Sequence, residues 1–208
     1  MRLRKRSVIS PTSLSYGTQG TTPDLAAVEA LLAGVRGVVG REARVFYGTF
    51  PSELRPEHVT PDALRVLARW VDNRSVSIGA QSGSDRVLQR AHRGHDVAEV
   101  ERAVRIALAE GFDPHVDFIL GLPGEEPDDV EATLRLAERL VELGAKVHGH
   151  TFMPLPGTPL RAERPGTIAA AARRRLDRLA ARGGLYGQWA QQEAIARDLA
   201  ARRAAGRA

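Results

Sequence analysis

With 208 residues, 43% of them hydrophobic and 26% charged, the chain has the size and balance of one globular domain with its own core. It has no cysteine, which excludes disulfides, thiolate nucleophiles, zinc–thiolate sites and cysteine-ligated clusters within these residues. The net charge of +5 is uneven: residues 161–208 hold 11 Arg against 4 acidic residues, so the remainder is slightly acidic. Lys5 and Lys146 are the sole lysines, and no basic stripe interleaved with aromatics is present, so nucleic acid is not the expected ligand. No apolar run of about 18 residues exists, so no membrane span is expected. The start, MRLRKRSVIS, is basic but lacks the apolar core of a signal peptide, which makes the cytoplasm the default location.

The elements alternate. A strand is expected at Arg6–Ser10, followed by the loop SPTSLSYG and a helix over Asp24–Val39. A second strand, Ala43–Tyr47, leads into GTFPSE and a helix over Pro61–Asp72, where Thr60-Pro61-Asp62 offers a cap, a preset φ and a first-turn acid. The strand Ser75–Ala80 ends abruptly in GAQSGS, passes through a short apolar segment to HRGH, and gives way to a helix over Asp96–Glu110. The strand His115–Leu120 runs into GLPGEE and a helix over Pro127–Leu143, whose Val130, Leu134, Ala137 and Val141 form an apolar stripe. Gly111 and Gly144 stand where a left-handed residue closes a helix. A fifth strand, Lys146–Phe152, is followed by MPLPGTP and the linker-like RAERPG. Two Ala/Arg-rich helices, Thr167–Arg182 and Leu185–Arg203, flank Gly183-Gly184, and ARRAAGRA is expected to fray.

Strands separated by single helices pair in parallel through right-handed crossovers, so the fold class is α/β. Continuous apolar runs such as Phe118-Ile119-Leu120 agree with strands covered on both faces. Either an open sheet or a barrel satisfies this. Gly/Pro/Ser-rich loops after all five strands favour the barrel, whose C-terminal rim carries the site.

The rim residues suggest a ligand. Glu53 follows one strand; by itself it reads equally as a solvated loop charge. Gln81 and Ser82 follow another, where turn chemistry is the plain alternative. Arg93 lies in HRGH and could be a surface charge. Asp117 lies inside a strand, where a charge must find partners or face a polar cavity. Carboxylates accept from ribose hydroxyls or an amine, and arginine forks onto a carboxylate. Gly79, Gly83 and Gly121 allow close backbone approach. The set suits a zwitterionic, ribose-bearing ligand, and the absence of a P-loop or GxGxxG argues against triphosphates and dinucleotides. A competing constellation, His115 and Asp117 with His148 and His150, could hold zinc or a similar ion for hydrolysis, or simply hydrogen-bond in a polar interior.

The stretches RVFYGTFPSELRPEHVT, SVSIGAQSGSDRVLQRAHRGH, VDFILGLPGEEPDD and HGHTFMPLPGTPL, in this order, resemble the radical S-adenosylmethionine superfamily over roughly Ser7 to Leu160. They look most like its cobalamin-binding-domain-associated branch, and more distantly like methylthiotransferases and oxygen-independent coproporphyrinogen oxidases. The resemblance implies a partial (β/α)6 TIM-like barrel lacking its first β/α unit, with a core over 1–160 and a helical tail over 161–208. It implies S-adenosylmethionine on the rim, bound by Glu53, Gln81, Ser82, Arg93 and Asp117, with Gly121, Leu122 and Pro123 near the adenine. In the family a [4Fe–4S] cluster cleaves this ligand reductively to a 5′-deoxyadenosyl radical. The cluster is held by a CxxxCxxC loop that has no counterpart here, so no catalytic or metal-binding residue is assigned to this chain. The cluster, and cobalamin, would be supplied by an upstream or separate segment, and this chain alone should not generate the radical. Small-molecule cofactor and substrate are the expected partners. A noncatalytic remnant and a metal-dependent barrel hydrolase are the alternatives.

Overall fold

The computed structural model describes residues 4–10 and 12–204. Among the described residues, six strands and seven α-helices follow in the order β1 (Arg4–Ser7), α1 (Leu25–Val39), β2 (Ala43–Phe46), α2 (Pro61–Trp70), β3 (Ser75–Gln81), α3 (Asp85–Arg90), α4 (Val97–Ala109), β4 (Asp113–Leu120), α5 (Pro127–Glu142), β5 (Lys146–Thr151), α6 (Ala170–Ala181), β6 (Leu185–Tyr186) and α7 (Trp189–Ala204). β1 and β2 pair in parallel, and a second sheet has the order β3-β4-β5-β6. A parallel bridge joins Leu54, in the loop after β2, to Ile78 of β3.

Local chemistry sets the boundaries. Asp24 and Thr60 accept from the backbone N–H of Ala27 and Ala63, capping α1 and α2. Pro127 opens α5 behind a reciprocal cap in which Asp129 accepts from the N–H of Glu126 at 2.8 Å. Gly111 and Gly144, at φ 79° and 108°, end α4 and α5 in the left-handed region, as the sequence suggested. In β4, Val116, Asp117 and Phe118 are consecutive and all buried, the signature of a strand covered on both faces.

By its contacts the chain divides into two compact units. One comprises the residues through Gly79 with Ala98–Val116, the other Ala80–Val97 with Asp117–Ala208. The expected division at residues 160 and 161 follows the family resemblance and remains a proposal.

Four expectations shift. The buried face of α5 carries Thr133, Leu134, Leu136, Ala137 and Leu140, while Val130 and Val141 are only half-buried. Thr133 turns inward because its hydroxyl has a partner there, described below. A short helix, α3, replaces the plain apolar segment and is capped by Ser84. The helix expected from Thr167 starts at Ala170, because Gly166 N–H and Ile168 N–H are held by Phe152 carbonyl (3.0 Å) and Glu193 Oε1 (3.1 Å). The helix expected from Leu185 starts at Trp189: Leu185 and Tyr186 form β6, in parallel register with Val147 and His148. Gly187, at φ 116°, makes the turn between them, and a side chain there would meet the carbonyl of Gly149 at 2.4 Å. Residues 161–204 thus hold a strand as well as helices. The fraying expected of ARRAAGRA falls partly outside the described residues.

Candidate functional site

In the first unit, the loop after β2 is laid along β3. Asn73 brackets Tyr47, donating to its carbonyl and accepting from its N–H. Phe50 N–H reaches Ser77 Oγ at 3.0 Å, and Leu54 exchanges backbone bonds with Ser77 and Gly79 at 2.7 and 3.0 Å. This alignment places the half-buried Glu53 carboxylate directly on Gly79: a Cβ there would lie 2.4 Å from Glu53 Oε2. Gly79 is therefore needed for close approach.

Two residues further along the same strand, in the second unit, Gln81 adopts φ 67° while buried. A non-glycine residue in the left-handed region, ending a core strand, is the type of local strain that marks functional corners. The corner is clamped by α5. Thr133 Oγ1 accepts from Gly83 N–H at 2.9 Å and lies 3.3 Å from Ser82 Oγ, and a side chain at Gly83 would strike the Thr133 backbone at 2.5 Å. Ser84 Oγ donates to Asp129 at 2.6 Å, and Arg86 forms an ion pair with the same carboxylate. These donors, Arg86 foremost, hold the Asp129 carboxyl down at about 2.

The HRGH loop returns to this corner. His92 (φ 51°) and Gly94 (φ 76°) turn the chain on either side of Arg93, and His95 Nε2 lies 3.2 Å from the carbonyl of Ala80, the neighbour of Gln81. The loop that carries Arg93 is thereby tied at His95 to the end of β3. After β4, Gly121 (φ 72°) passes within van der Waals limits of Gly166, where a side chain would lie 2.6 Å from the Gly166 Cα. Gly121, Leu122 and Pro123 line a cleft of about 710 Å³ together with Val130 and Leu134 of α5 and residues 163–169. At its wall, Glu125 Oε2 accepts from Gly121 N–H at 2.7 Å, while its Oε1 is buried without a hydrogen-bond partner. Burial, only partly offset by the Gly121 and Leu122 N–H groups, pushes the Glu125 carboxyl up to about 7.

Asp117 of β4 is buried and bonded to His148 Nδ1 of β5 at 2.9 Å. His150 Nε2 lies 3.2 Å from the same nitrogen, so three ligand-type atoms gather within 4.8 Å of one another. His115 is not part of this group. β6 and α7 support it: Tyr186 stacks on His148 at 4.5 Å and Gln192 Nε2 approaches His150 Nδ1 at 3.3 Å. Burial and the neighbouring His148 lower the His150 pKa, against the pull of Asp117. Burial, then the Asp117 charge, raises the Tyr186 phenol to about 12.

In each unit by itself, then, candidate residues are gathered. Glu53 meets Gly79 in the first, and Gln81, Ser82 and the Arg93 loop share one corner of the second. Sequence reasoning missed Asp129, Thr133, Glu125, Tyr186 and Gln192. The acid after GLPG was a visible signal for Glu125, and Asp129 was legible as a first-turn acid behind Pro127; nothing local marked Thr133, Tyr186 or Gln192.

The structure defines an α/β fold with parallel strands and a strained Gln-Ser-Gly corner, a class in which ligands, where bound, sit outside the carboxyl ends of the strands. The match to the Radical SAM superfamily over residues 4–137, more than half the chain, makes the assignment specific: this chain belongs to the radical S-adenosylmethionine superfamily. It is 31% identical over 168 residues to a tRNA-2-methylthio-N(6)-dimethylallyladenosine synthase of Leptothrix cholodnii, covering 79% of this chain and 34% of that protein. It is 26% identical to an uncharacterised protein of Methanopyrus kandleri, covering 78% and 31%. Its fold is similar to Escherichia coli coproporphyrinogen III oxidase (TM-score 0.55, 21% identity, 76% of this chain and 36% of that one). It is also similar to the methyltransferase TsrM of Kitasatospora setae, solved with cobalamin and a [4Fe–4S] cluster (TM-score 0.52, 20% identity, 67% and 26%). The chain spans about a third of the length of the curated relatives it matches.

Proposed function

We propose that this chain is the S-adenosylmethionine-binding part of a radical enzyme core. The observation that carries the reading is that Glu53, Gln81, Ser82, Arg93, Asp117, Gly121, Leu122 and Pro123 all fall within the stretch that matches the family. Their local structure supports it. Glu53 rests on a backbone that tolerates no side chain, and Gln81 turns out of its strand at a strained φ.

On this reading Glu53 accepts from the ligand's amine or ribose, and Arg93 forks onto its carboxylate. Gln81 donates and accepts at the same corner. Ser82, whose hydroxyl is already within reach of Thr133 and the Ser84 N–H, holds that corner in shape. Asp117 reaches the ribose only in competition with His148. Gly121, Leu122 and Pro123 offer backbone and apolar surface to the adenine at the mouth of the cleft. Bound S-adenosylmethionine supplies the family's cleavable sulfonium.

The residues present do not fit a [4Fe–4S] cluster, which is held by thiolates, because the 208 residues contain no cysteine. Reductive cleavage therefore requires ligands from outside these residues, and cobalamin, if used, likewise. Small molecules are the proposed partners, in the cytoplasm. The tail arginines Arg173 and Arg175 are paired with Glu193 and with Glu131 and Glu138, which removes them from any nucleic-acid-binding stripe. Among the described residues, no helix is long and apolar enough to cross a membrane.

Calorimetric titration of the purified chain with S-adenosylmethionine tests the proposal. Saturable binding is expected, weakened about tenfold or more in Arg93→Ala, the worth of a charge-assisted hydrogen bond. A folded sample showing neither heat of binding nor a rise in melting temperature at millimolar ligand would overturn it.

A further inference from the structure

We propose that Asp117, His148 and His150 form a binding site for one divalent transition-metal cation of the zinc class, separate from any iron–sulfur cluster. Asp117 Oδ1 and His148 Nδ1 are 2.9 Å apart, and His148 Nδ1 and His150 Nε2 are 3.2 Å apart. Ligands about 2.1 Å from a common metal stand roughly 3.0–3.4 Å from each other, for right-angled to tetrahedral arrangements. The 3.2 Å spacing lies in that range, the 2.9 Å spacing lies just below it, and all three atoms lie within 4.8 Å of one another. Two imidazoles and a carboxylate are hard-to-borderline donors suited to Zn²⁺ and its divalent neighbours.

The surroundings are those of a held site. Asp117 and His148 are buried and His150 is half-buried. Tyr186 stacks on His148 with the rings 7° from parallel and fixes its plane. Gln192 is itself oriented, since its Oε1 accepts from Thr151 N–H at 2.9 Å, and Thr151 Oγ1 donates to the Trp189 carbonyl at 2.8 Å. The Tyr186 stack is an outer contact of the kind that orients metal-bound histidines, whereas Gln192, with its NH₂ on His150 Nδ1, would have to readjust.

Proton placement is compatible with a cation but does not require one. With its oxygen on Thr151, Gln192 presents an NH₂ to His150 Nδ1, so a neutral His150 carries its proton on Nε2, aimed at His148 Nδ1. That nitrogen must then be an acceptor, yet the Asp117 carboxylate faces it at 2.9 Å. Moving the proton to His148 satisfies Asp117 and sets two N–H groups against each other. A cation lets all three converging atoms present lone pairs, leaving only the 3.3 Å Gln192 contact to readjust. The metal-free solution is an Nδ1–H of His148 shared between Asp117 and His150, at the cost of the same Gln192 contact.

The proposal is independent of the cluster and touches the S-adenosylmethionine reading only through Asp117. The experiment uses the tag-free chain, stripped with chelator and titrated with Zn²⁺ against a chromogenic competitor, and with Co²⁺ followed by visible absorption. One equivalent should bind, with affinity at least tenfold weaker in His150→Ala and in Asp117→Asn, and Zn²⁺ should raise the melting temperature of wild type but not of these variants. His150 is only half-buried, so His150→Ala should keep its fold, which circular dichroism checks. Binding that is equally tight in wild type and a folded His150→Ala, or no binding at all, overturns the site. Loss of Zn²⁺ binding with retained S-adenosylmethionine binding in His150→Ala separates this inference from the function proposed above.

Discussion

Two residues carry the clearest chemical tension in the structure. Gln81 sits buried at φ 67° after six residues of core strand, a conformation that costs free energy unless neighbours over-determine it. Glu125 keeps one carboxylate oxygen buried without a hydrogen-bond partner. Its carboxyl is raised from an ordinary 4.5 to about 7, so the folded state retains a proton that the unfolded chain has lost across that window. Stability should therefore be fullest below pH 4.5 as far as this group is concerned, and fall as pH rises to about 7, by about 3 kcal/mol at 1.36 kcal/mol per unit. Glu125→Gln keeps an acceptor for Gly121 N–H without the ionisation. Urea unfolding at pH 5 and pH 8 should show the variant losing less stability between the two than wild type does. Equal losses in both proteins would contradict the burial argument.

At the scale of elements, the β3–α3 corner depends on α5. Thr133 accepts from the buried N–H of Gly83, and Asp129 caps its own helix while binding Ser84 and Arg86. Thr133→Val preserves shape and removes the acceptor, so it should destabilise the fold by about 1–3 kcal/mol, the cost of stranding a buried donor. Chemical denaturation measures this, and a change under about 0.5 kcal/mol would mean that the corner stands without the helix. β6 is the other instructive element. It is two residues long, yet it brings Tyr186 onto His148 and starts the turn into α7, from which Gln192 reaches His150. α6 is fixed to α5 by a fork from Arg175, whose pKa is raised by Glu138 and Glu131. Pairing of this kind explains why an arginine-rich segment can pack as part of a fold.

For the whole molecule, family membership and composition pull apart. The family's chemistry centres on a cysteine-held cluster, and these 208 residues have no thiolate to offer. Anaerobic reconstitution with iron and sulfide should leave the chain without a stoichiometric [4Fe–4S] cluster, by optical absorption and by iron and sulfide analysis together. Matching iron and sulfide with the cluster's absorption would defeat that expectation, whereas iron bound without sulfide would not.

Much of this protein could be read from its sequence. The α/β class, five of six strands, the principal helices and the stretches shared with the family were legible, because caps, closing glycines and buried parallel strands are written in adjacent residues. The boundaries that moved did so where distant partners intervened: Gly166 against Phe152, Leu185 beside Val147, Thr133 beneath Gly83. Tertiary structure alone decided that Glu53 lies on Gly79, that Asp117 faces two histidines without His115, and that Glu125 is pressed into a cleft wall. Periodicity reports which face of an element is buried. It does not report which side chain of another element waits there, and hydrogen-bond and metal geometry depend on that pairing to within a few tenths of an ångström.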